Sequence, residues 1–408
     1  MSKLARFLFA TLVTLVLSVS LFAQANENTP EVRRKTFEKV LKTVNEKFFD
    51  PNFGGVNWKE VRARYAPQIA AAKTDDEFYQ VLARMLGELH SSHLEVVRPE
   101  EFSKADEPPV TTGLSLKEID GQIMISRILK NSAAADSAMR PGFLLKTIDG
   151  AELKDIGDAL EKIHGKAGTK VDLGYLDEKD ELRQTTLERR VIPPSEIDKQ
   201  IFGQGAAIYA LFDSSRLADG IGYIHFTSFI TPFQKKARDA IGSMRDAPGI
   251  VIDLRGNGGG DDRVGLAMAN ALFDKKTLLM ITRTRKGDDN YYTAKPDKNP
   301  YTGKIVILLD QESGSASEQF AAGMQEARRA TIIGKTSGGA DMDADVIALP
   351  TGALFVYAYG QPRTPKGVII EGRGVIPDID VDLSRNDLLA GRDTQLEAAI
   401  AFIKTGGK

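Results

Sequence analysis

The 408-residue sequence contains no cysteine, and a core of this size needs no covalent cross-link. Net charge is also nearly absent, because 54 lysine and arginine residues oppose 56 aspartate and glutamate residues. No basic block with interleaved aromatic residues occurs, which argues against a nucleic-acid partner. The composition, 42% hydrophobic with 37 glycines and 17 prolines, is typical of a globular protein. The length predicts two or three domains.

Long hydrophobic runs are absent except at the N-terminus. Lys3 and Arg6 precede an apolar run from Phe7 to Phe22, and Ala23-Gln24-Ala25 matches a signal-peptidase site. Residues 1–25 are therefore predicted to be a signal peptide that directs the chain to the periplasm or the extracellular space. An uncleaved membrane anchor is the alternative, although the run is shorter than the roughly 20 residues of a bilayer span. After cleavage no stable membrane span is expected.

Three further regions are predicted from periodicity. Residues 29–105 have apolar positions at helical spacing, a pattern that continues to about Val97, and are expected to form a helical domain with a turn at Asp50–Gly55. Residues 106–192 alternate short apolar strands with turns and carry one helix near Asp155–Ile163. Residues 193–408 alternate strands and helices, the pattern of a layered α/β core, and a final helix near Leu388–Ile403 is expected to close the fold.

Two loops that leave predicted buried strands of this core are candidates for chemistry. In the first, Arg255-Gly256-Asn257-Gly258-Gly259-Gly260, successive glycines allow backbone N–H groups to converge on an anion. The Lys-Ser/Thr pair of a phosphate-binding loop is missing, so oxyanion stabilisation and a simple strand-to-helix turn are the remaining interpretations.

The second loop places Ser315 where a strand turns into a helix, next to the unpaired N–H groups of the helix start. This position suits a nucleophile. Ser315 and Glu318 also have the spacing of a capping box, in which the serine has only a structural role. The local pattern leaves both interpretations open.

A serine nucleophile needs a base, and the chain has four histidines. His164 and His225 lie in a predicted helix-to-turn region and in a strand, where structural roles are the simplest. His90 and His93 end a predicted helix in a segment rich in hydroxyl groups. Their spacing lacks the adjacent glutamate of a zinc-protease helix, so one of them is a candidate general base and no metal is predicted.

The β-rich region resembles a PDZ domain of the bacterial protease type. In that family Gly113, Leu114, Ser115 and Leu116 are expected to bind a peptide's terminal carboxylate, while the strand edge grips the tail. A module that only orients its neighbours is the alternative. The resemblance rests on the segments Gly113–Leu116, Ser132–Ala134, Arg140–Leu145 and Ile148–Gly150, together with Ile128.

Six segments along the chain carry a second resemblance, and in order they are Leu86–Val96, Ile221–Phe229, Ile252–Gly260, Gly314–Met324, Arg329–Gly339 and Ile370–Asp378. Together they resemble the motifs of the C-terminal processing, or tail-specific, serine peptidase family. The resemblance implies a crotonase-like catalytic core. It points to the tricorn-like branch, because Ala340 occupies the region where the other branch has a lysine base.

By this resemblance Ser315 is the nucleophile and His93 the general base, with Ser92 and Glu371 completing a tetrad. The oxyanion hole is expected from the N–H groups of Ala316 and of Gly259 or Gly260. Lys335 is a weaker candidate base. The implied function is an exported endopeptidase that needs no cofactor and takes protein or peptide substrates by their C-terminal tails. A non-catalytic protein that binds peptides or an apolar ligand on a degenerate peptidase core is the alternative.

Overall fold

A computed structural model describes residues 28–101, 108–202 and 206–406. The predicted signal peptide lies outside these residues. Within them, no helix combines the length and the apolar character that crossing a membrane requires.

The α-helices of the described residues follow the predicted order, with one addition. Trp58–Ala71 is a helix that the apolar periodicity did not reveal, and it contains Pro67. In chain order the helices are α1 (Pro30–Lys47), α2 (Trp58–Ala71), α3 (Asp75–Gly87), α4 (Ile156–Ile163), α5 (Phe233–Ser243), α6 (Asp262–Asn270), α7 (Ala316–Glu326), α8 (Arg385–Leu389) and α9 (Thr394–Thr405).

The strands are mostly short, as expected for chain elements bounded by glycine-rich turns. They are β1 (Glu95–Val97), β2 (Val110–Thr111), β3 (Leu114–Ile119), β4 (Gln122–Ile128), β5 (Leu144–Ile148), β6 (Ala151–Glu152), β7 (Lys170–Leu176), β8 (Leu182–Glu188), β9 (Arg190–Val191), β10 (Asp198–Phe202), β11 (Ala206–Ala210), β12 (Phe212–Arg216), β13 (Gly222–Phe226), β14 (Gly249–Asp253), β15 (Thr277–Thr284), β16 (Asp289–Ala294), β17 (Lys304–Leu309), β18 (Thr331–Gly334), β19 (Asp343–Ala348), β20 (Leu354–Arg363) and β21 (Ile379–Asp380).

The chain divides into two compact units. Unit 1 contains the described parts of residues 1–107, 199–332 and 336–378, and unit 2 contains residues 108–198, 333–335 and 379–408. This division differs from the sequence-based boundaries, which separated the N-terminal helices from the α/β core. Both belong to unit 1, because Phe37 and Phe78 of the helices share one buried cluster with Phe355 and Tyr357 of β20.

A layered α/β core forms the centre of unit 1. Its sheet has the order β12-β13-β14-β17-β18, and β13, β14 and β17 run parallel. Every residue of β14 is buried, as expected for a strand covered on both faces. Because β14 and β17 are parallel neighbours, the glycine loop after β14 and the Ser315 loop after β17 leave the same edge of the sheet.

A second sheet of unit 1 is antiparallel and was not predicted from the sequence. Its order is β1-β20-β15-β16, and β19 also pairs with β20. The prediction that the helical pattern continues to about Val97 is wrong, because Glu95–Val97 is a strand that pairs with β20. Long-range pairing of this kind leaves no local periodicity in a strand of three residues.

Unit 2 contains a β-rich module with the sheet order β3-β4-β5-β7-β8, and β6 pairs with β5. Among the described strands, β3 lies at the edge of this sheet, and helix α4 contacts it. The predicted C-terminal helix also belongs to unit 2. It is divided into α8 and α9 by a turn at Gly391, whose φ of 73° favours glycine.

Candidate active site

Ser315 lies in a tight turn between strand β17 and helix α7. Its φ of 50° and ψ of −120° lie in a region that residues with a side chain rarely adopt. The strain is held by hydrogen bonds, since the Ser315 N–H donates to the carbonyl of Ala340 at 2.9 Å and to Glu318 Oε2 at 3.1 Å. Strained backbone that is overdetermined by its surroundings is common where a reactive side chain must be presented.

Glu318 organises the chain around the turn. Its buried carboxyl also accepts hydrogen bonds from Ser337 Oγ at 2.5 Å, from the N–H of Gly339 at 2.7 Å and from the N–H of Ala340 at 3.0 Å. Burial raises the pKa of Glu318 to about 7, against the effect of these donors. Glu318 therefore does more than cap α7, because it fixes both the Ser315 backbone and the segment from Ser337 to Ala340.

His93 and Ser92 follow α3, which ends at Gly87. The connecting turn contains two residues with positive φ, His90 at 49° and His93 at 53°. The Ser92 N–H donates to Glu371 Oε1 at 2.7 Å, and the Ser92 hydroxyl donates to Glu371 Oε2 at 2.8 Å. The same hydroxyl lies 2.8 Å from His93 Nδ1. A glutamate, a serine and a histidine thus form one continuous chain of hydrogen bonds.

These hydrogen bonds determine which nitrogen of His93 carries the proton. An ionised carboxylate only accepts hydrogen bonds, so the single hydroxyl proton of Ser92 is directed to Glu371. Ser92 Oγ then accepts from Nδ1–H of His93, and the lone pair of the neutral ring is on Nε2. Burial lowers the pKa of His93 to about 4, which keeps the imidazole neutral at pH 7.

The segment from Gly339 to Asp341 links the nucleophile turn to Glu371. The Ala340 carbonyl accepts from Ser315, and the next residue, Asp341, donates its N–H to Glu371 Oε2 at 2.8 Å. Ser315 is in this way connected through two backbone groups to the carboxylate that holds Ser92. The four residues that the resemblance selected therefore belong to one local network in unit 1.

Asp341 also contributes a carboxyl group that sequence reasoning missed. The side chain is fully buried, and neither of its oxygens has a hydrogen-bond partner within the described part of the chain. Burial, followed by the nearby carboxyls of Glu318, Asp343 and Glu371, raises the pKa of Asp341 well above its usual value. No local sequence pattern distinguishes this aspartate, since its environment is assembled from distant segments.

The glycine loop after β14 lies directly against the serine turn. A Cβ atom at Gly259 would lie 2.7 Å from Ser315 Cβ and 2.9 Å from the Ala316 nitrogen, so only glycine permits this approach. The Gly259 N–H itself donates to Asn257 Oδ1 at 2.9 Å. Among the described residues, the N–H groups of Ala316 and Gly260 have no such partner. The loop is anchored by the buried ion pair of Asp253 and Arg255, at 2.8 Å.

The other candidates named from the sequence lie outside this network. His164 caps the end of α4 and contacts the Leu160 carbonyl, and His225 Nδ1 lies 3.0 Å from the Asp253 carbonyl. Lys335 pairs with Asp380 at 2.6 Å and with Asp382 at 2.8 Å. These ion pairs raise the pKa of Lys335 and so oppose a role as base.

The predicted tail-binding residues Gly113, Leu114, Ser115 and Leu116 lie in unit 2, at and just before the start of edge strand β3. A Cβ atom at Gly113 would lie 1.9 Å from Ser132 Oγ, which requires glycine at this position. The Gly113 N–H donates to Thr111 Oγ1 at 2.9 Å.

Comparisons with known proteins identify two domain families in the chain. Residues 220–381 match Peptidase family S41, and residues 29–87 match the Tricorn protease C1 domain. The chain is 26% identical over 401 residues to the carboxyl-terminal-processing protease of Synechocystis sp., covering 93% of this chain and 90% of that protein. It is 24% identical over 388 residues to the carboxy-terminal processing protease CtpA of Bacillus subtilis, with 94% and 78% coverage.

A solved structure has the same fold. The photosystem II D1 C-terminal processing protease is similar with a TM-score of 0.60 at 20% sequence identity, covering 92% of this chain and 98% of that one. The fold class expected from the sequence, an α/β peptidase core with an N-terminal helical region and a small β-rich region, is confirmed. The chain contains a Peptidase family S41 domain and a Tricorn protease C1 domain, and over most of its length it is similar to proteins named carboxyl-terminal-processing proteases.

Proposed function

We propose that this chain is an exported serine endopeptidase that works through an acyl-enzyme, with Ser315 as nucleophile, His93 as base, and Ser92 and Glu371 as their polar partners. The observation that carries the proposal is the continuous chain of hydrogen bonds from Glu371 through Ser92 to His93. The Ser92 hydroxyl oxygen lies 2.8 Å from Glu371 Oε2 and 2.8 Å from His93 Nδ1. It supplies a neutral imidazole in the tautomer that a general base requires.

In the proposed reaction Ser315 Oγ attacks the scissile carbonyl while its proton passes to His93 Nε2. The imidazolium that forms is stabilised by Ser92, whose hydroxyl is polarised by Glu371. His93 then gives the proton to the leaving amine, and the acyl-enzyme remains on Ser315. In the second half of the reaction His93 takes a proton from a water molecule, and the water oxygen attacks the acyl carbonyl carbon. Ser315 then leaves and receives the proton from His93.

We assign the oxyanion hole to the N–H of Ala316 and to one N–H of the glycine loop. The free N–H at the start of α7 and the positive end of the helix dipole both favour a negative oxygen beside Ala316. Because the N–H of Gly259 already donates to Asn257, Gly260 is the better second donor. Gly259 contributes instead by permitting the loop to approach Ser315.

The substrates we propose are proteins or peptides presented by their C-terminal tails. Support comes from the edge strand β3 and the adjacent helix α4, since an extended peptide can add to a sheet edge beside a helix. The N-terminal pattern of Lys3, Arg6, the apolar run and Ala23-Gln24-Ala25 supports export. N-terminal sequencing of protein recovered from its native compartment tests the predicted start near Asn26.

A fluorophosphonate probe tests the catalytic proposal. The wild-type protein is expected to be labelled on Ser315 and to cleave a denatured protein, and Ser315→Ala is expected to lose both reactions. His93→Ala is expected to lose cleavage, while Lys335→Ala, which removes a half-buried lysine paired with Asp380, retains it. Full cleavage by Ser315→Ala would overturn the proposal, and absence of labelling in a folded wild-type protein would favour the non-catalytic alternative.

A further inference from the structure

A cavity opens beside Ala316, the residue that follows the proposed nucleophile. Its internal volume is about 20 Å³, and half-buried Leu266 forms part of its wall. The cavity is built by the first turns of α6 and α7 and by strands β15 and β16 of the antiparallel sheet. Its lining residues are Asp262, Gly265, Leu266, Leu279, Met280, Tyr292, Ala316, Gln319 and Phe320.

The position of the cavity relates it to the substrate. A peptide carbonyl attacked by Ser315 lies next to the Ala316 N–H, so the side chain attached to that carbonyl falls beside Ala316. A cavity bordered by Ala316 is therefore the site for the residue on the acyl side of the scissile bond, called P1. This assignment rests on the proposed serine peptidase function.

The lining of the cavity is apolar on its sides and acidic at one end. Leu266, Leu279, Met280 and Phe320 supply the apolar walls, and Asp262 is the acidic group. None of the described residues that line the cavity is basic. Asp262 is half-buried, and its neighbour Asp261, not Asp262, receives the guanidinium of Arg263 at 2.7 Å.

The groups around Asp262 are acidic or neutral. The phenol of Tyr292 on β16 donates to Asp343 Oδ2 on β19 at 3.2 Å and also lies within hydrogen-bonding reach of Asp262. Tyr359 on β20 and Asp261, the N-cap residue before α6, also interact electrostatically with Asp262. Burial and then Asp343 raise the pKa of Asp262 to about 6, so the carboxyl is mainly ionised above that pH. A cation entering the cavity would relieve this unfavourable charge.

We propose that Asp262 is the specificity-determining residue of the P1 site and selects a basic side chain, lysine or arginine. The apolar walls cover the hydrocarbon stem of such a side chain, and the carboxylate of Asp262 receives its charged end. The cavity itself has room for about one water molecule, so entry of a stem of this length requires half-buried Leu266 and unbranched Met280 to move.

Paired peptidyl phosphonates test this proposal without requiring a known natural substrate. Such inhibitors phosphonylate an active-site serine, and the pair differs only at P1, with lysine in one and norleucine, its uncharged analogue, in the other. The measurement is the second-order rate of Ser315 modification by mass spectrometry at pH 7.5. We expect the wild-type protein to react faster with the lysine compound.

Two variants give the decisive comparison. Asp262→Asn keeps the size of the side chain and removes its charge. It is expected to slow the reaction of Ser315 with the lysine compound by about 10- to 100-fold, and to change the rate with the norleucine compound by less than about threefold. Asp261→Asn removes the same charge one position away, from a group paired with Arg263, and is expected to leave the ratio of the two rates unchanged.

The ratio of rates separates the outcomes. Equal or faster reaction with norleucine in the wild type, or an unchanged ratio in Asp262→Asn, would overturn the assignment of Asp262 while leaving the peptidase intact. Failure of both phosphonates and of the fluorophosphonate probe to modify Ser315 would instead overturn the proposed function.

Discussion

The carboxylate of Glu371 accepts both the N–H of Ser92, at 2.7 Å, and its hydroxyl, at 2.8 Å, although the two residues are 279 positions apart. Glu371 therefore holds the backbone and the side chain of Ser92 together. Because the hydroxyl proton is committed to this carboxylate, Ser92 can only accept from His93. The direction of each hydrogen bond from Glu371 through Ser92 to His93 therefore follows from the negative charge of Glu371.

Glu371→Gln tests this direction. The amide group of glutamine can donate to Ser92, so the serine hydroxyl becomes free to donate to His93 Nδ1, which places the ring proton on Nε2. The base is then in the wrong tautomer, and we expect kcat to fall by about 10²- to 10⁴-fold with little change in KM. Steady-state kinetics measure this, with Glu326→Gln on α7 as control. A decrease in kcat of less than twofold in Glu371→Gln would contradict the proposed direction of the hydrogen bonds from Glu371 through Ser92 to His93.

The pH dependence of the reaction reports on His93. Its pKa of about 4 lies below the usual value near 6.5, and the ring must be neutral to accept a proton. We therefore expect protonation of His93 to lower kcat/KM only as the pH drops through about 4 to 5. A substrate with norleucine at P1 avoids the titration of Asp262. An acid limb near pH 6.5 that an NMR titration assigns to the His93 imidazole would contradict its low pKa.

The sequence predicts the parallel core well for a physical reason. Strands such as β14 and β17 are continuous apolar runs bounded by turn residues, and β17 spans the predicted bounds of Lys304–Leu309. The loops that follow them carry recognisable chemistry, so Ser315 and the glycine loop could be located from local patterns. Family resemblance then selected His93 from the two candidate histidines and added Ser92 and Glu371, whose contact spans 279 positions and leaves no local pattern.

The parts that were not predicted depend on long-range contacts. Strand β1 has three residues, and its pairing partner in β20 lies more than 250 positions away. Helix α2 contains Pro67, which is unfavourable inside a helix, although its buried residues Trp58, Val61, Tyr65 and Ile69 have helical spacing. Asp341 has an environment assembled from Glu318, Asp343 and Glu371. Burial and charge of this kind exist only after the chain has folded.

Asp341→Asn tests the cost of that buried carboxyl. A group whose pKa is raised on folding binds a proton in the native state that the unfolded chain releases, so its contribution to stability is lost as the pH rises above about 4. We expect Asp341→Asn to increase the free energy of unfolding at pH 8 and to change it less at pH 4.5. Urea denaturation at both pH values measures this.

The control for this prediction is Asp345→Asn, because Asp345 is exposed and lies four positions further along the chain. It is expected to change the free energy of unfolding by no more than about 0.5 kcal/mol at either pH. Equal destabilisation of Asp341→Asn at pH 4.5 and pH 8 would indicate that Asp341 is ionised in the folded protein and has a partner that stabilises it.

Gly259→Ala tests the contact between the glycine loop and the nucleophile. The added methyl group would lie 2.7 Å from the Gly314 carbonyl oxygen and 2.9 Å from the Ala316 nitrogen, so it must displace the donor that we assign to the oxyanion hole. We expect kcat to fall by about 10²-fold or more, as for loss of an oxyanion donor. Enzyme kinetics with a P1-norleucine peptide measure this.

Gly287→Ala separates displacement of the donor from simple backbone strain. Gly287 has a φ of 81°, comparable with the 102° of Gly259, but a Cβ atom at Gly287 would meet nothing within 4 Å. Both variants are therefore expected to lower the free energy of unfolding, because alanine disfavours a left-handed backbone conformation. Only Gly259→Ala places an atom against Ser315 and Ala316. If both variants lose stability equally and both retain kcat, the close approach of the loop has no catalytic role, and the second oxyanion donor must be sought elsewhere.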